Sequence, residues 1–268
     1  MSGDILRKQL FGDRVSVMIT KKSFGSVHPK RDDFRDQLER LKQEVGCDEM
    51  LFPTLKFSNA YVWGDEHKIG SIEINSDNQG NPIPGFLRPP FATDAVVSRV
   101  YPMGMFNGDC PAGVILTSPD ETGKRHLVFM HLGLMTMISK EGRTSLIAVL
   151  LRALADHDLK VECFWMGFGA GPCCYGLHDL DDRWGFIRKW QSYDGVVEKG
   201  PRVDQPAIAL REIATRQLVE LGVDQSIIEI DPYCTTCSGG DPEHGIHFSN
   251  LMRNGALARN ATLAWLNI

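Results

Sequence analysis

Apolar positions along this chain follow two rhythms. Over Asp32–Val45, Phe34, Leu38, Leu41 and Val45 share one face at helical spacing and charges fill the other, which predicts an amphipathic helix. Thr144–His157 is rich in Leu and Ala and predicts a largely buried helix. Ala207–Leu221 predicts a third, with Leu210, Ile213, Leu218 and Leu221 inward and Gly222 as its C-cap. The second rhythm is that of short β-branched or aromatic runs bounded by Gly, Pro, Asn and Asp. Such runs predict strands at Val15–Thr20, Gly70–Ile74, Asp94–Val100, Ala112–Thr117, His126–His131, Val161–Met166 and Ile227–Asp231. Asn75–Pro90 and Ser238–Gly245 have the Asn, Pro, Gly and polar character of loops.

Strands and helices mix without a strict βαβ alternation. The expected fold is therefore an α+β layered domain and not a doubly wound nucleotide-binding sheet. The glycine-rich stretch Gly167-Phe168-Gly169-Ala170-Gly171 lacks the spacing of a dinucleotide loop and the Lys-Ser/Thr of a P-loop.

Composition narrows the class further. The 268 residues suffice for a sizeable core, and 43% hydrophobic with 24% charged residues excludes disorder, collagen and coiled coil. A net charge of −5 carries no basic excess that would mark nucleic-acid or membrane-surface binding. The longest apolar run, Leu146–Ala155, contains Arg152 and is too short to span a bilayer. Met1–Phe11 lacks the apolar stretch of a signal peptide, so a cytoplasmic location is expected. Seven cysteines, an odd number in a long chain, argue against a disulfide framework.

Cys110 and His131 form the strongest candidate constellation. Cys110 stands just before the run Ala112–Thr117, and His131 closes the run before it reaches Gly133. If the two strands are neighbours, a thiol and an imidazole meet at their ends. That pair is a zinc or copper ligand set, or a nucleophile and its base. The plainer reading is a buried cysteine and an unrelated histidine. Cys234-x-x-Cys237 followed by His244-x-x-His247 looks like a structural zinc site on paper, but the intervening gap is short, and a strand end followed by a polar loop is the simpler account. The vicinal Cys173-Cys174 pair would point to opposite faces in extended chain, which favours packing over joint ligation. Asp65, Glu66 and His67 form a compact patch that could add a third ligand or be a solvated turn. Arg253 and Arg259 could hold an anion or be surface charges.

Several segments, in order, resemble the laccase-domain family, also called the purine nucleoside phosphorylase-like, peptidoglycan-editing-factor or polyphenol oxidase family. Gly108-Asp109-Cys110-Pro111 resembles its Ala-Asp-Cys-x-Pro segment, and His131-Leu132-Gly133 its His-Ala-Gly-Trp-Arg-Gly segment. Met166–Tyr175 is similar to its Ile-Gly-Pro-x-Ile-Gly-x-Cys-Cys-Tyr, and Cys234-Thr235 to its Cys-Thr. Phe248-Ser249 and Ala258-Arg259 resemble its Phe-Ser-Tyr-Arg-Arg and Gly-Arg segments. The match runs from about residue 90 to the end and is loose before that.

The resemblance implies a single α/β/β/α layered domain with mixed sheets over residues 1–268. It implies a zinc site, with copper open to the same donors, held by Cys110, His131 and an upstream histidine, best matched by His67. It further implies phosphorolysis or deamination of purine nucleosides; the buried-looking helices would serve a monomer or a homodimer. Proton transfer then falls to a carboxylate such as Asp109 or Glu66, and substrate contacts fall to Phe248, Arg253 and Arg259. The partners would be a purine nucleoside and phosphate, with no nucleic acid and no membrane. The chain departs from the family where Leu134-Met135 replaces Trp-Arg and Asn250-Leu251-Met252 replaces Tyr-Arg-Arg, so cationic positions for phosphate are missing or shifted. These departures keep open a non-catalytic, metal-binding relative, and the Cys110–His131 pair keeps open a metal-free Cys-His hydrolase, for example one acting on cell-wall precursors. A multicopper oxidase centre needs many clustered imidazoles, and the eight histidines contain no His-x-His pair.

Overall fold

The computed structural model describes residues 3–56, 59–64, 73–77, 79–137, 144–175, 196–199, 206–237 and 258–267. Two mixed sheets carry the architecture. The first runs β1 (Ile5–Leu10), β2 (Val15–Thr20), β15 (Asn260–Leu266), β8 (Met103–Asn107), β3 (Met50–Leu51), β6 (Pro82–Arg88), β5 (Glu73–Ser76). The second runs β14 (Ile228–Ile230), β11 (Val161–Met166), β9 (Ala112–Thr117), β10 (Leu127–His131), β7 (Ala95–Ser98), β4 (Tyr61–Trp63). A short ribbon pairs β12 (Val197–Lys199) with β13 (Pro206–Ile208).

Three apolar layers show how these elements stack. One joins the two sheets: Val15, Val17, Leu51 and Met105 from the first meet Val114, Leu127, Phe129 and Trp165 from the second. A second layer covers the outer face of the first sheet with α1 (Phe34–Val45), whose Phe34, Leu38 and Leu41 pack on Met18, Phe52 and Phe86. The third covers the outer face of the second sheet with α2 (Leu134–Met137), α3 (Leu146–Ala155) and α4 (Leu210–Glu220). The α/β/β/α layering expected of the chain is the one observed. Strands buried on both faces need apolar residues at successive positions, which is why β9 and β10 read as unbroken apolar runs.

The helical rhythm locates α1, α3 and α4 to within a few residues. Gly46 closes α1 in the left-handed region at φ 77°, where a side chain would be strained, and its N–H donates to Lys42 O at 2.8 Å. Leu221 departs from expectation: it follows the last turn of α4 and points to solvent, 47% exposed. The residues before α4 are consumed by β13. The expected loop Asn75–Pro90 holds all of β6 despite its prolines; β3 pairs with it only at Phe86 and Leu87, clear of Pro82 and Pro84, while β5 meets Pro82 at Ser76. β1, β8 and β15 were not apparent as strands. β15 is a central strand between β2 and β8, and its Asn, Ala and Thr carry no apolar alternation.

Candidate functional site

The register of the second sheet brings its chemistry to one edge. β9 runs antiparallel to β10 with Ala112 opposite His131, and β7 runs antiparallel to β10 with Ala95 opposite Met130. The starts of β7 and β9 therefore coincide with the end of β10. Asp94, Cys110 and His131 occupy those three ends. Cys110 also sits in the crossover between the sheets, since Asn107 ends β8 in the first sheet and Ala112 begins β9 in the second. Asn107 clamps this turn: its Nδ2 donates to Cys110 O at 3.1 Å, and Thr262 donates its hydroxyl to Asn107 Oδ1 at 3.1 Å.

His131 is buried, and its Nδ1 bonds Asp94 Oδ1 at 2.7 Å, so the ring is locked with Nε2 facing Cys110. The Cys110 thiol hydrogen-bonds the imidazole. A methyl group at Gly133 would lie 3.0 Å from His131 Nε2 and 3.3 Å from Cys110 Sγ, so glycine there leaves the face of the pair open. Burial by itself lowers the imidazole's pKa, but the Cys110 sulfur and the Asp94 carboxylate outweigh it and push it up to about 10. Asp94 is fixed in turn: Lys56 N–H donates to its Oδ2 at 3.4 Å, and its own N–H donates to Ala60 O at 3.0 Å. Sequence reasoning did not pick out Asp94. An acid at the start of an apolar strand run is the one signal that pointed to it.

The expected juxtaposition of Cys110 and His131 is thus present, completed by a carboxylate on the far ring nitrogen. A carboxylate behind a histidine orients either a metal ligand or a general base. The soft thiolate and borderline imidazole suit zinc or copper, and the open face at Gly133 fits a third group there. β4 runs parallel to β7, so its N-terminal end, with Asn59 and Ala60, adjoins this edge. The chain leaves β4 at the opposite end, at Trp63, before it reaches His67. His67 lies outside the described residues, as do Asp65, Glu66, Phe248 and Arg253. So do His244 and His247.

Asp109 is buried, and its Oδ1 accepts the hydroxyls of Thr235 at 3.0 Å and Thr236 at 3.5 Å. Arg259 is half-buried and near the same turn. Burial pulls its pKa down, while Asp109 and Cys110 act in the opposite sense. It shares a cavity of about 110 Å³ with His28, Arg88 and Phe106. Arg88 is held by burial below its usual pKa, and its Nε has no hydrogen-bond partner among the described residues. Arg88 is a cationic neighbour and His28 an imidazole that the sequence did not single out; burial, with the positive charge of Arg259, holds His28 below the usual imidazole pKa.

A second group of thiols lies farther along the same edge. β14 runs parallel to β11 with Ile230 beside Met166, so the segments after both strands leave the sheet together. They meet at a bridge between Gly169 and Cys234. Cys173, Cys174, Cys234 and Cys237 have sulfurs all within 4.8 Å of one another. The vicinal pair takes part because Pro172–Cys174 is a turn and not extended chain: Cys174 and Tyr175 N–H both donate to Gly171 O, at 3.0 and 2.9 Å. The opposite-faces argument, which assumed extended chain, therefore does not apply to this pair. Burial raises the Cys234 thiol, but backbone N–H groups from Gly171, Cys237 and Thr236 outweigh it and bring its pKa down to about 7. Burial, with the charge of Cys234, pushes Cys173 up to about 11 and Cys174 higher still.

Together these features define a two-sheet α+β protein whose sheet edge presents thiols and a carboxylate-backed imidazole. The chain belongs to the family described as multi-copper polyphenol oxidoreductase laccase, which matches residues 32–267. Its fold is similar to that of the hypothetical protein YfiH of Bacillus licheniformis, at TM-score 0.71 and 14% identity, covering 99% of this chain and 97% of that one. A Neisseria meningitidis protein is similar at TM-score 0.66 and 19% identity, covering 99% and 100%. YlmD of Geobacillus stearothermophilus is similar at TM-score 0.65 and 16% identity, covering 95% and 93%. At these identities the likeness speaks to the fold alone. No curated protein matches the chain by sequence. Among the described residues, no helix is long and apolar enough to cross a membrane.

Proposed function

We propose that the Cys110–His131–Asp94 edge is the catalytic centre of a zinc-dependent enzyme acting on purine nucleosides, by phosphorolysis, deamination or both. The observation that carries this reading is the buried imidazole held between the Cys110 thiol and the Asp94 carboxylate. Cys110 and His131 would hold the metal, with His67 as the expected third ligand. A bound zinc would supply a Lewis acid and lower the pKa of water to about 7. Asp94 fixes the ring so that Nε2 faces the open side of the pair. Asp109, next to Cys110, is the proposed proton carrier. Arg259 and Arg88, with His28, line the cavity that would take the phosphate charge, and Arg88 would stand in for an arginine the motifs lack. Protein-bound copper remains chemically open to the same donors.

The test is product analysis by liquid chromatography. Adenosine, inosine and methylthioadenosine are incubated with protein and phosphate, beside Cys110→Ala and His131→Ala. Free base and pentose phosphate from the wild type establish phosphorolysis, and inosine from adenosine establishes deamination. Both variants should fall by roughly 10³-fold or more. Absence of turnover with all three substrates overturns the reading.

A second reading rests on the same three side chains: Cys110 as nucleophile, His131 as base and Asp94 as orienter, without metal. Alkylation of Cys110 that stops turnover in active, metal-free protein would select it. Zinc bound stoichiometrically to that thiol would remove it.

A further inference from the structure

We infer that Cys173, Cys174, Cys234 and Cys237 form a second metal site, a tetrahedral tetrathiolate centre for zinc, separate from the Cys110–His131 pair. Zinc–sulfur bonds of about 2.3 Å place the four thiolates of a tetrahedron about 3.8 Å apart. The Cys173 and Cys237 sulfurs lie 3.6 Å apart, and all four fall within 4.8 Å, so a metal closes the site with shifts of a few tenths of an ångström to about 1 Å. A disulfide needs about 2.05 Å and uses only two sulfurs at a time.

The surroundings are built for a thiolate centre. Gly171 N–H donates to Cys234 Sγ at 3.2 Å, and the N–H groups of Thr236 and Cys237 face the same sulfur. Amide donors of this kind orient a metal-bound thiolate and stabilise its charge. Four thiolates and a divalent ion leave two negative charges. The Arg211 guanidinium sits beside the cluster, tied to Gly169 O at 3.1 Å, Pro232 O at 3.1 Å and Tyr233 O. It places one positive charge there while bracing both segments. A Cβ at Gly171 would lie 3.2 Å from Cys173 Sγ and 3.6 Å from Cys234 Cβ, so glycine lets the two segments close. Cys234 is buried and Cys173 exposed, which gives the ion an anchor and a way in. On binding, each thiol gives up one proton to solvent and no electron is transferred.

The site ties the segment after β11 to the segment after β14. Its own neighbours Thr235 and Thr236 reach Asp109, so the centre also holds the turn that carries Cys110.

The test needs only the reduced full chain. Anaerobically purified protein is loaded with Zn²⁺, freed of excess, and its zinc and iron counted by mass spectrometry. Cysteine alkylation is then mapped with and without a chelator. The expected result is that zinc slows alkylation of Cys173, Cys174, Cys234 and Cys237 by at least about tenfold. Cys47, whose thiol burial pushes up to about 11, is the internal control and should not respond. Co²⁺ loading should give the intense red-region absorption of a tetrahedral thiolate site in Cys110→Ala. Cys173→Ser/Cys234→Ser should lose one equivalent of zinc. If that variant fails to fold, the wild-type alkylation map and the Cys110→Ala spectrum decide alone. Equal alkylation with and without zinc, zinc unchanged in the double variant, or a disulfide among the four with no zinc uptake overturns the inference. None of these outcomes depends on turnover, so this site and the proposed activity stand or fall separately.

Discussion

Two cysteine-bearing centres share one edge of the second sheet, and they are built in opposite ways. The Cys110–His131–Asp94 centre stands on three strand ends whose ladders fix where each side chain begins. The Cys173/Cys174/Cys234/Cys237 centre stands on two turns that leave β11 and β14 and are held by hydrogen bonds and Arg211. The first is rigid because the sheet is rigid. The second depends on what holds the turns together. A ladder positions a few groups with little freedom, whereas paired turns can wrap four ligands around one point.

That contrast can be broken at its common base. Phe129 is fully buried on β10 between the sheets. Phe129→Ala should cost about 3–5 kcal/mol, seen as a lower denaturation midpoint, and both centres should be lost in the same transition. Separate transitions would show that the turn-built centre is independent of the sheet. Removing the carboxylate sharpens the contrast. Asp94→Asn should weaken metal at Cys110–His131 by roughly 10- to 100-fold, measured by competition with a chromophoric chelator, and leave the four-cysteine alkylation map unchanged.

The two glycines give a matched pair. Gly133→Ala presses on His131, which Asp94 holds in place, so metal affinity there should fall by about tenfold. Gly171→Ala presses on Cys173 Sγ, on a turn that can yield, so its effect on zinc at the cluster should be smaller. The smallest effect lies far from both centres, in the β9–β10 turn. There Thr122, the N–H groups of Lys124 and Thr122, and His126 hold Asp120 well below the usual carboxylate range. A depressed folded-state pKa contributes stability that is present above about pH 4 and is lost as pH falls through the folded value. Asp120→Asn should therefore flatten the stability–pH curve on the acid side, read by thermal denaturation between neutral and acidic pH, with both centres' metal unchanged at neutral pH.

Legibility along the chain followed local physics. Helices α1 and α3 were legible because periodicity is written within one segment. Cys110 and His131 were legible as a pair because each bordered a clear apolar run and each carried a motif. Asp94 was not, since an acid before a strand has the same local appearance whether it faces solvent or an imidazole. β15 hid because its partners β2 and β8 supply the burial that its own residues do not advertise.

The chain alone determined the fold class, the family, and the thiol and imidazole around which the first centre is built. These properties are encoded in short stretches, where spacing and residue type suffice. The tertiary structure decided what meets across the sheet edge: Asp94 behind His131, Arg88 beside Arg259, and Cys173-Cys174 against Cys234 and Cys237. Those pairings join segments dozens of residues apart, and strand order and register set them. Neither is written in the local pattern of any one segment.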